Sequence, residues 1–244
     1  MNGAPRISPD PVRREGNDVA RMFGAIAPTY DRLNHLLSLH VDRLWRRRAV
    51  KSLAARPGSC VVDVCTGTGD LALALLRRVD LKLVGVDFSL PMLQKAGAKR
   101  GGRRLRRVQG DALDLPLRTG AVDGAMVAFG VRNFQDLDRG LKELARVLRP
   151  GGRLVILEFS VPRGRIFAPL FRFYFVRVLP WVGRWVSGVE GPYGYLPASV
   201  GLFPTHDAFR ERLEEAGFSV ESQSPLTGGI AMLHVAVRNP GEGE

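Results

Sequence analysis

The sequence predicts a doubly wound α/β fold: a mostly parallel seven-stranded sheet ending in an antiparallel hairpin, preceded by helices and carrying a helical lid after its fifth strand. Three observations carry this. Short β-branched runs alternate with segments of helical period between residues 60 and 158. The run Val61-Val62-Asp63-Val64 passes through a glycine loop, CTGTGD, straight into the apolar helical run Leu71 to Leu76. Two final strand-like runs, 218–226 and 229–237, are joined by a connection too short for a parallel crossover.

In chain order, residues 1–17 hold three prolines and mixed charge and are expected to form a mobile tail. A single domain then spans 18–238, with a short C-terminal tail at 239–244. Residues 18–55 have helix formers at helical spacing, punctuated by Pro28, which implies two or three helices. After the loop, Leu81 to Asp87 reads as a second buried strand and PMLQKAGAKR as a helix. Val108 to Asp111 and Asp123 to Phe129 read as strands three and four. Leu137 to Leu148 is an amphipathic helix stopped by Pro150-Gly151-Gly152, ahead of the strand Arg153 to Glu158. Residues 161–205 form the lid and substrate segment.

Composition narrows the class. With 244 residues and 45% hydrophobic content, the chain has room for one real core. Cys60 and Cys65 have neither metal-ligand spacing nor the density of a disulfide scaffold, so a reducing cytoplasm and no metal are expected. No apolar signal core opens the chain, and no stretch reaches the ~20 apolar residues of a membrane span. The net charge of +12 raises nucleic acid or an anionic membrane as partners. Only five of the 36 basic residues are lysines, and the arginines are spread along the chain except at Arg103-Arg104-x-Arg106-Arg107, which favours solvated faces over a nucleic-acid site.

The glycine loop carries the first functional reading. Gly67-x-Gly69-x-x-Ala72 fits a relaxed dinucleotide fingerprint, and an ordinary tight turn fits it too. Asp63 closes the first strand and Asp70 enters the helix, so two carboxylates flank the loop. That suits a ligand with a cationic end better than a pyrophosphate; Asp70 also suits the helix dipole alone. S-adenosylmethionine has such an end, and its carboxylate can still meet the loop's N–H groups. Asp87, at the end of strand two, is placed to accept from ribose hydroxyls. Asp111-Ala112, after strand three, would sit beside an adenine unless Asp111 merely caps a turn.

Two longer blocks are more specific. Residues 30–45 read YDRLNHLLSLHVDRLW and residues 146–160 read RVLRPGGRLVILEFS. With the loop, they resemble class I S-adenosylmethionine-dependent methyltransferases, and within them the quinone C-methyltransferase family, over roughly residues 19–238. Tyr30, Asp31, Asn34, Ser38 and Trp45 match in the first block; Arg146, Pro150, Gly151, Gly152, Glu158 and Ser160 match in the second. Leu33 replaces a methionine, Asp42 a common histidine, Arg149 a lysine and Cys65 the first loop glycine, so the strict three-glycine pattern is absent.

The resemblance implies a Rossmann-like fold and S-adenosylmethionine as cofactor, held by Asp63, Gly67, Thr68, Gly69, Asp87, Asp111 and Ala112. Ala128 cannot supply a serine contact that some members have there. The implied reaction is C-methylation of the naphthoquinol ring of demethylmenaquinol, since CTGTGDL departs from the AGGTGDL of dual-pathway relatives; the benzoquinol precursor of ubiquinone is the alternative, and RNA a remoter one. Arg132 and Asn133 would face the substrate, Arg132 acting with Asp111 on a water, and Tyr195 or Tyr193 would hold a quinol oxygen. An arginine is too basic to take a proton at neutral pH, so Arg132 is expected to stabilise the quinolate.

Residues 165–186 place Phe167, Phe171, Phe173, Tyr174, Phe175, Trp181 and Trp185 among regularly spaced arginines, as in two short amphipathic helices broken at Pro180. Such a segment suits a peripheral membrane contact that collects a polyprenyl quinol, a lid packed on its own domain, or a homodimer contact.

Overall fold

The computed structural model describes residues 9–13, 15–162, 167–178, 180–181 and 192–241. Three helices precede the sheet: α1 (Gly16–Ile26), α2 (Tyr30–Leu37) and α3 (Val41–Leu53). Thus α1 opens inside the stretch read as tail. Next come β1 (Cys60–Val64), α4 (Asp70–Leu76), β2 (Lys82–Asp87), α5 (Leu90–Ala98), β3 (Arg106–Gln109), β4 (Val122–Ala128), α6 (Leu137–Val147) and β5 (Leu148–Phe159). Helix α7 (Phe167–Phe173) continues as a π-helical turn, Tyr174–Val178. The chain closes with α8 (Pro192–Gly201), α9 (His206–Glu215), β6 (Phe218–Leu226) and β7 (Ala231–Arg238).

The seven strands run in the order β3-β2-β1-β4-β5-β7-β6. Strands β1 to β5 pair in parallel; β7 is antiparallel to both β5 and β6. The order reverses between β1 and β4, so the carboxyl ends of those strands splay apart and leave the crevice where such sheets take ligands. One face is covered by α6 and α9, which bury Leu141, Leu144, Phe209 and Leu213 against Val62 and Val64. The other is covered by α3 and α4, which bury Trp45, Val50, Leu71 and Leu75 against Val61, Leu83 and Val155. Successive residues of β1 therefore serve opposite layers, which explains its unbroken apolar run.

Three strands differ from expectation; the last begins at Ala231, because Thr227–Gly229 form a 3-10 turn. The third begins at Arg106 and ends before Asp111, because it is an edge strand whose arginines face outward. Arg104 pairs with Asp80 at 2.6 Å and Arg107 donates to the Leu93 carbonyl at 3.3 Å, so part of the dense arginine run is engaged in holding this edge. The fifth begins at Leu148, since that buried residue already pairs with Val122 and the register then jumps to Gly124↔Arg153. The four residues Arg149 to Gly152 bulge out, with Gly151 at φ 72°.

Candidate active site

The loop after β1 turns because three of its residues take left-handed backbone angles: Cys65 at φ 54°, Gly67 at 54° and Gly69 at 79°. For a residue with a side chain this costs about 1 kcal/mol. Cys65 is accommodated by its neighbour across the crevice: a Cβ on Gly130 would lie 2.5 Å from the Cys65 Cβ. The loop glycine lost at 65 is thus matched by a glycine needed at 130. Burial, with Asp87 and Asp63 nearby, pushes the Cys65 thiol well above its ordinary pKa, so it is no nucleophile.

Two cavities adjoin at this crevice. The smaller, about 120 Å³, is lined by Cys65, Gly67, Asp87, Asp111, Ala112 and Ala128, and roofed by Val19 and Phe23 of α1. Asp87 accepts from the Gly67 N–H at 2.7 Å and the Ser89 N–H at 2.8 Å. Burial raises its pKa nonetheless, and these two bonds only moderate the effect. Asp111 accepts from the Leu113 N–H at 2.9 Å, so it caps a turn and lines the cavity together.

Three expected cofactor residues do not line this cavity. Asp63 is 1% exposed, and its carboxylate accepts the Thr66 hydroxyl at 2.7 Å. Desolvation, with a smaller push from Asp87, lifts its pKa to about 7. Gly69 serves packing, because a Cβ there would meet that of Ala96 at 3.1 Å. Thr68 donates to Asp31 at 2.5 Å and accepts from Lys99 at 3.0 Å. Lys99 also holds Asp31 at 3.0 Å and Asp70 at 2.5 Å, so Asp70 faces a lysine. Burial opposes the charge on Asp31, but the Thr68 and Lys99 bonds win and keep its pKa below the usual value.

The larger cavity, about 500 Å³, is walled by Met22, Ile26, Trp45, Phe159, Phe171 and Phe175. Phe23, Tyr30 and Phe129 line both cavities and form the partition. Phe129 sits at φ 58°, an unusual angle for an aromatic residue and of a kind that gathers at functional sites. Tyr30 bonds Asn34, and burial raises its pKa against the lowering pull of Arg132.

Arg132 lines the larger cavity, whereas Asp111 belongs to the smaller. The carboxylate facing Arg132 is Glu158, at 2.7 Å, and both are buried. Arg132 also donates to the Phe129 carbonyl, and its guanidinium lies over the Phe159 ring at 5.5 Å. Asn133 lines the smaller cavity and accepts from the Tyr195 hydroxyl at 3.1 Å, and Tyr195 lines the larger. The Asn133–Tyr195 pair therefore ties the two walls together. The side chain of Tyr193 lies outside the described residues.

Sequence reasoning gave Glu158 and Tyr30 no role, although both lie in the quoted blocks. The signal was an acid ending the otherwise apolar run LVILE, which has no reason to be buried unless a cation meets it. A second cluster went unseen: Asp42 accepts from Ser38 at 2.7 Å, contacts His35 at 2.8 Å and pairs with Arg46. Arg46, Ser38 and His35 overcome burial and hold its pKa low. His35 in turn reaches Asp70 at 3.6 Å. A chain of polar contacts thus runs from the wall of the larger cavity to the glycine loop. No cluster of metal-binding type occurs among the described residues.

Residues 12–238 match the model of the ubiE/COQ5 methyltransferase family. A demethylmenaquinone methyltransferase of Thermus thermophilus is 48% identical over 89% of this chain and 100% of its own. A ubiquinone/menaquinone biosynthesis C-methyltransferase of Geotalea daltonii is 42% identical over 91% and 97%. The fold recurs in a SAM-dependent methyltransferase from Aquifex aeolicus, 21% identical over 79% of this chain and 89% of that one, with a TM-score of 0.59. This chain belongs to the ubiE/COQ5 methyltransferase family.

Proposed function

We propose that the chain transfers the methyl group of S-adenosylmethionine to a ring carbon of demethylmenaquinol. The observation that carries this reading is the pair of cavities meeting at one aromatic partition: a small one with an acid at a strand end, and a large apolar one. The smaller fits the cofactor. Asp87 offers carboxylate oxygens to ribose hydroxyls, and the space above Gly67 is open, with no side-chain atom within 4 Å of where a Cβ would stand. Asp111 and Ala112 lie at the adenine end of this reading. Thr68 and Asp63 act behind the loop, fixing its shape.

The cofactor supplies an electrophilic sulfonium methyl. The protein positions an electron-rich carbon against it, which is worth several orders of magnitude when geometry is held. Trp45, Phe159 and Phe175 confine the fused ring on its apolar sides. Tyr195, fixed by Asn133, meets one quinol oxygen, and the positive field of Arg132 and Arg46 favours ionisation of a hydroxyl, which makes the ring carbon more nucleophilic. The cofactor would give up its methyl group and leave as the neutral thioether; the ring carbon that these side chains hold in place would lose its hydrogen as a proton to water, so that aromaticity returns.

Anaerobic incubation with S-adenosylmethionine and reduced demethylmenaquinone in detergent, read by mass spectrometry, tests this. A methyl on the naphthoquinone ring is expected. Cofactor binding without transfer would overturn it and favour the benzoquinol precursor, the second reading, which the Geotalea daltonii relative's name supports. No comparison favours RNA.

No helix among the described residues is long and apolar enough to cross a membrane. We place the enzyme in the cytoplasm, at the inner face of the membrane that holds its polyprenyl substrate. Of the amphipathic stretch 165–186, Phe167–Phe173 and Tyr174–Val178 are helical, and much of the remainder lies outside the described residues.

A further inference from the structure

Several of the exposed large apolar side chains gather at one place. Leu36 is 53% exposed, Leu39 80% and Leu44 58%, all on α2, α3 and the turn between them. Ser38, Leu39 and Val41 of this turn line the larger cavity, and Phe171, Tyr174 and Phe175 line it from the opposite element. Phe173 and Val176 of that element also face solvent. Exposed apolar side chains thus stand on the same elements that line the larger cavity, and Leu39 both lines it and faces solvent. A single exposed leucine means nothing, but a cluster bordering a cavity marks an interaction site.

The turn is built to project. Leu39 holds φ 50° and His40 φ 62°, angles that side-chain-bearing residues rarely adopt. They are kept there by the backbone bonds His40 N–H to His35 O at 2.7 Å and Val41 N–H to Ser38 O at 3.0 Å, and by stacking of His35 on His40. Cations lie on the two helices that flank the turn. Arg32, Arg43, Arg47 and Arg48 are exposed, and none forms an ion pair with another described residue.

We propose that the α2–α3 turn docks on an anionic lipid bilayer, with Leu39 among the acyl chains and Arg43 and Arg47 at the level of the phosphates. The larger cavity then opens toward the lipid, and a polyprenyl quinol enters without crossing water. Charge decides the occupant: a second copy seated symmetrically on this face would oppose arginine to arginine, whereas lipid phosphates satisfy them. This inference rests on the membrane-facing reading above and gives it an address.

The test is flotation of the full chain with phosphatidylcholine vesicles, with and without phosphatidylglycerol, no quinone being present. Binding is expected only with the anionic lipid and should weaken as salt rises. Leu39→Asp, and separately Arg43→Glu with Arg47→Glu, should each cut binding about tenfold or more, with unchanged thermal melting. The paired arginine variant should also keep its rate on a short-tailed quinol in detergent while losing rate on a long-tailed quinol in vesicles. If the unaltered chain ignores anionic vesicles, the membrane reading itself falls. If it binds and both variants bind equally well, the membrane reading stands and this surface is wrong. If neither form binds vesicles and the variants turn a dimer into a monomer in sedimentation, the occupant is a second copy and the proposal is overturned.

Discussion

The two cavities are built on opposite principles. The smaller is floored by the sheet, with strand ends, a glycine loop and backbone N–H groups that reach Asp87, and only its roof comes from α1 and α2. The larger is made by what is laid over the sheet, namely α1, α2, α3, α7 and α8, and its polar groups are buried charges held by other charges. A site of the first kind is fixed by local chain geometry. A site of the second kind exists only when distant segments meet, so its residues depend on one another for stability as well as for chemistry.

That contrast should appear most strongly at Arg132. Arg132→Ala strands Glu158 without its ion-pair partner at a position 0% exposed, so a stability loss of about 3–5 kcal/mol is expected with a large fall in turnover. Pairing Arg132→Met with Glu158→Gln should restore most of the melting temperature but not the rate. Calorimetric cofactor affinity should be nearly unchanged in the paired variant. Restored rate would mean that the guanidinium only fills space.

Next comes Asp87→Ala, expected to weaken S-adenosylmethionine by roughly 100-fold through lost charge-assisted hydrogen bonds, with a smaller loss of melting temperature because the Gly67 and Ser89 N–H groups lose their acceptor. Equal loss of cofactor affinity at Asp87 and at Arg132 would erase the division between the cavities. A smaller effect is expected where they are joined. Lys99→Met loosens α2 from the glycine loop, leaving the Thr68–Asp31 bond as the tie, and both cofactor affinity and quinol KM should worsen by about tenfold, with partial rescue by Lys99→Arg. A change in only one of the two constants would show that the Lys99 contacts do not couple them.

The mildest effect on function is expected at Asp63. Its pKa is lifted from 3.8 to about 7 by burial, so the fold favours the protonated acid. Between those values the unfolded chain loses its proton while the folded chain keeps it, and stability therefore falls as pH rises across the window and levels off above it. Asp63→Asn should flatten that slope and raise the melting temperature at pH 8 by roughly 2–4 °C, the equivalent of about 1 kcal/mol. An unchanged pH profile would remove Asp63 as its cause.

The smaller cavity was largely legible. Gly67, Asp87, Asp111 and Ala112 all reach it, because Asp87 ends a strand and the other three follow strand ends by two or three residues. Motif position makes Thr68 and Gly69 ligand contacts, whereas the structure turns the Thr68 hydroxyl to Asp31 and Lys99, which lie 37 residues upstream and 31 downstream. Motif spacing says where the loop is, not which way one hydroxyl turns. Glu158 shows the reverse case: its sequence position was plain, yet its partner was hidden, since Arg132 reaches it only through the parallel pairing of β4 with β5.

By itself the sequence determined the doubly wound sheet, its antiparallel closing pair and the place of the glycine loop. Apolar period, turn residues and connection length are local properties, and they act before any long-range contact forms. Tertiary structure alone decided which charges meet: Arg132 with Glu158, Lys99 with Asp31 and Asp70, Asp42 with His35 and Arg46. It also decided that Tyr30 and Phe129 should stand between the two cavities. A buried charge needs a partner within a few ångströms, and in a folded chain that partner can come from any segment.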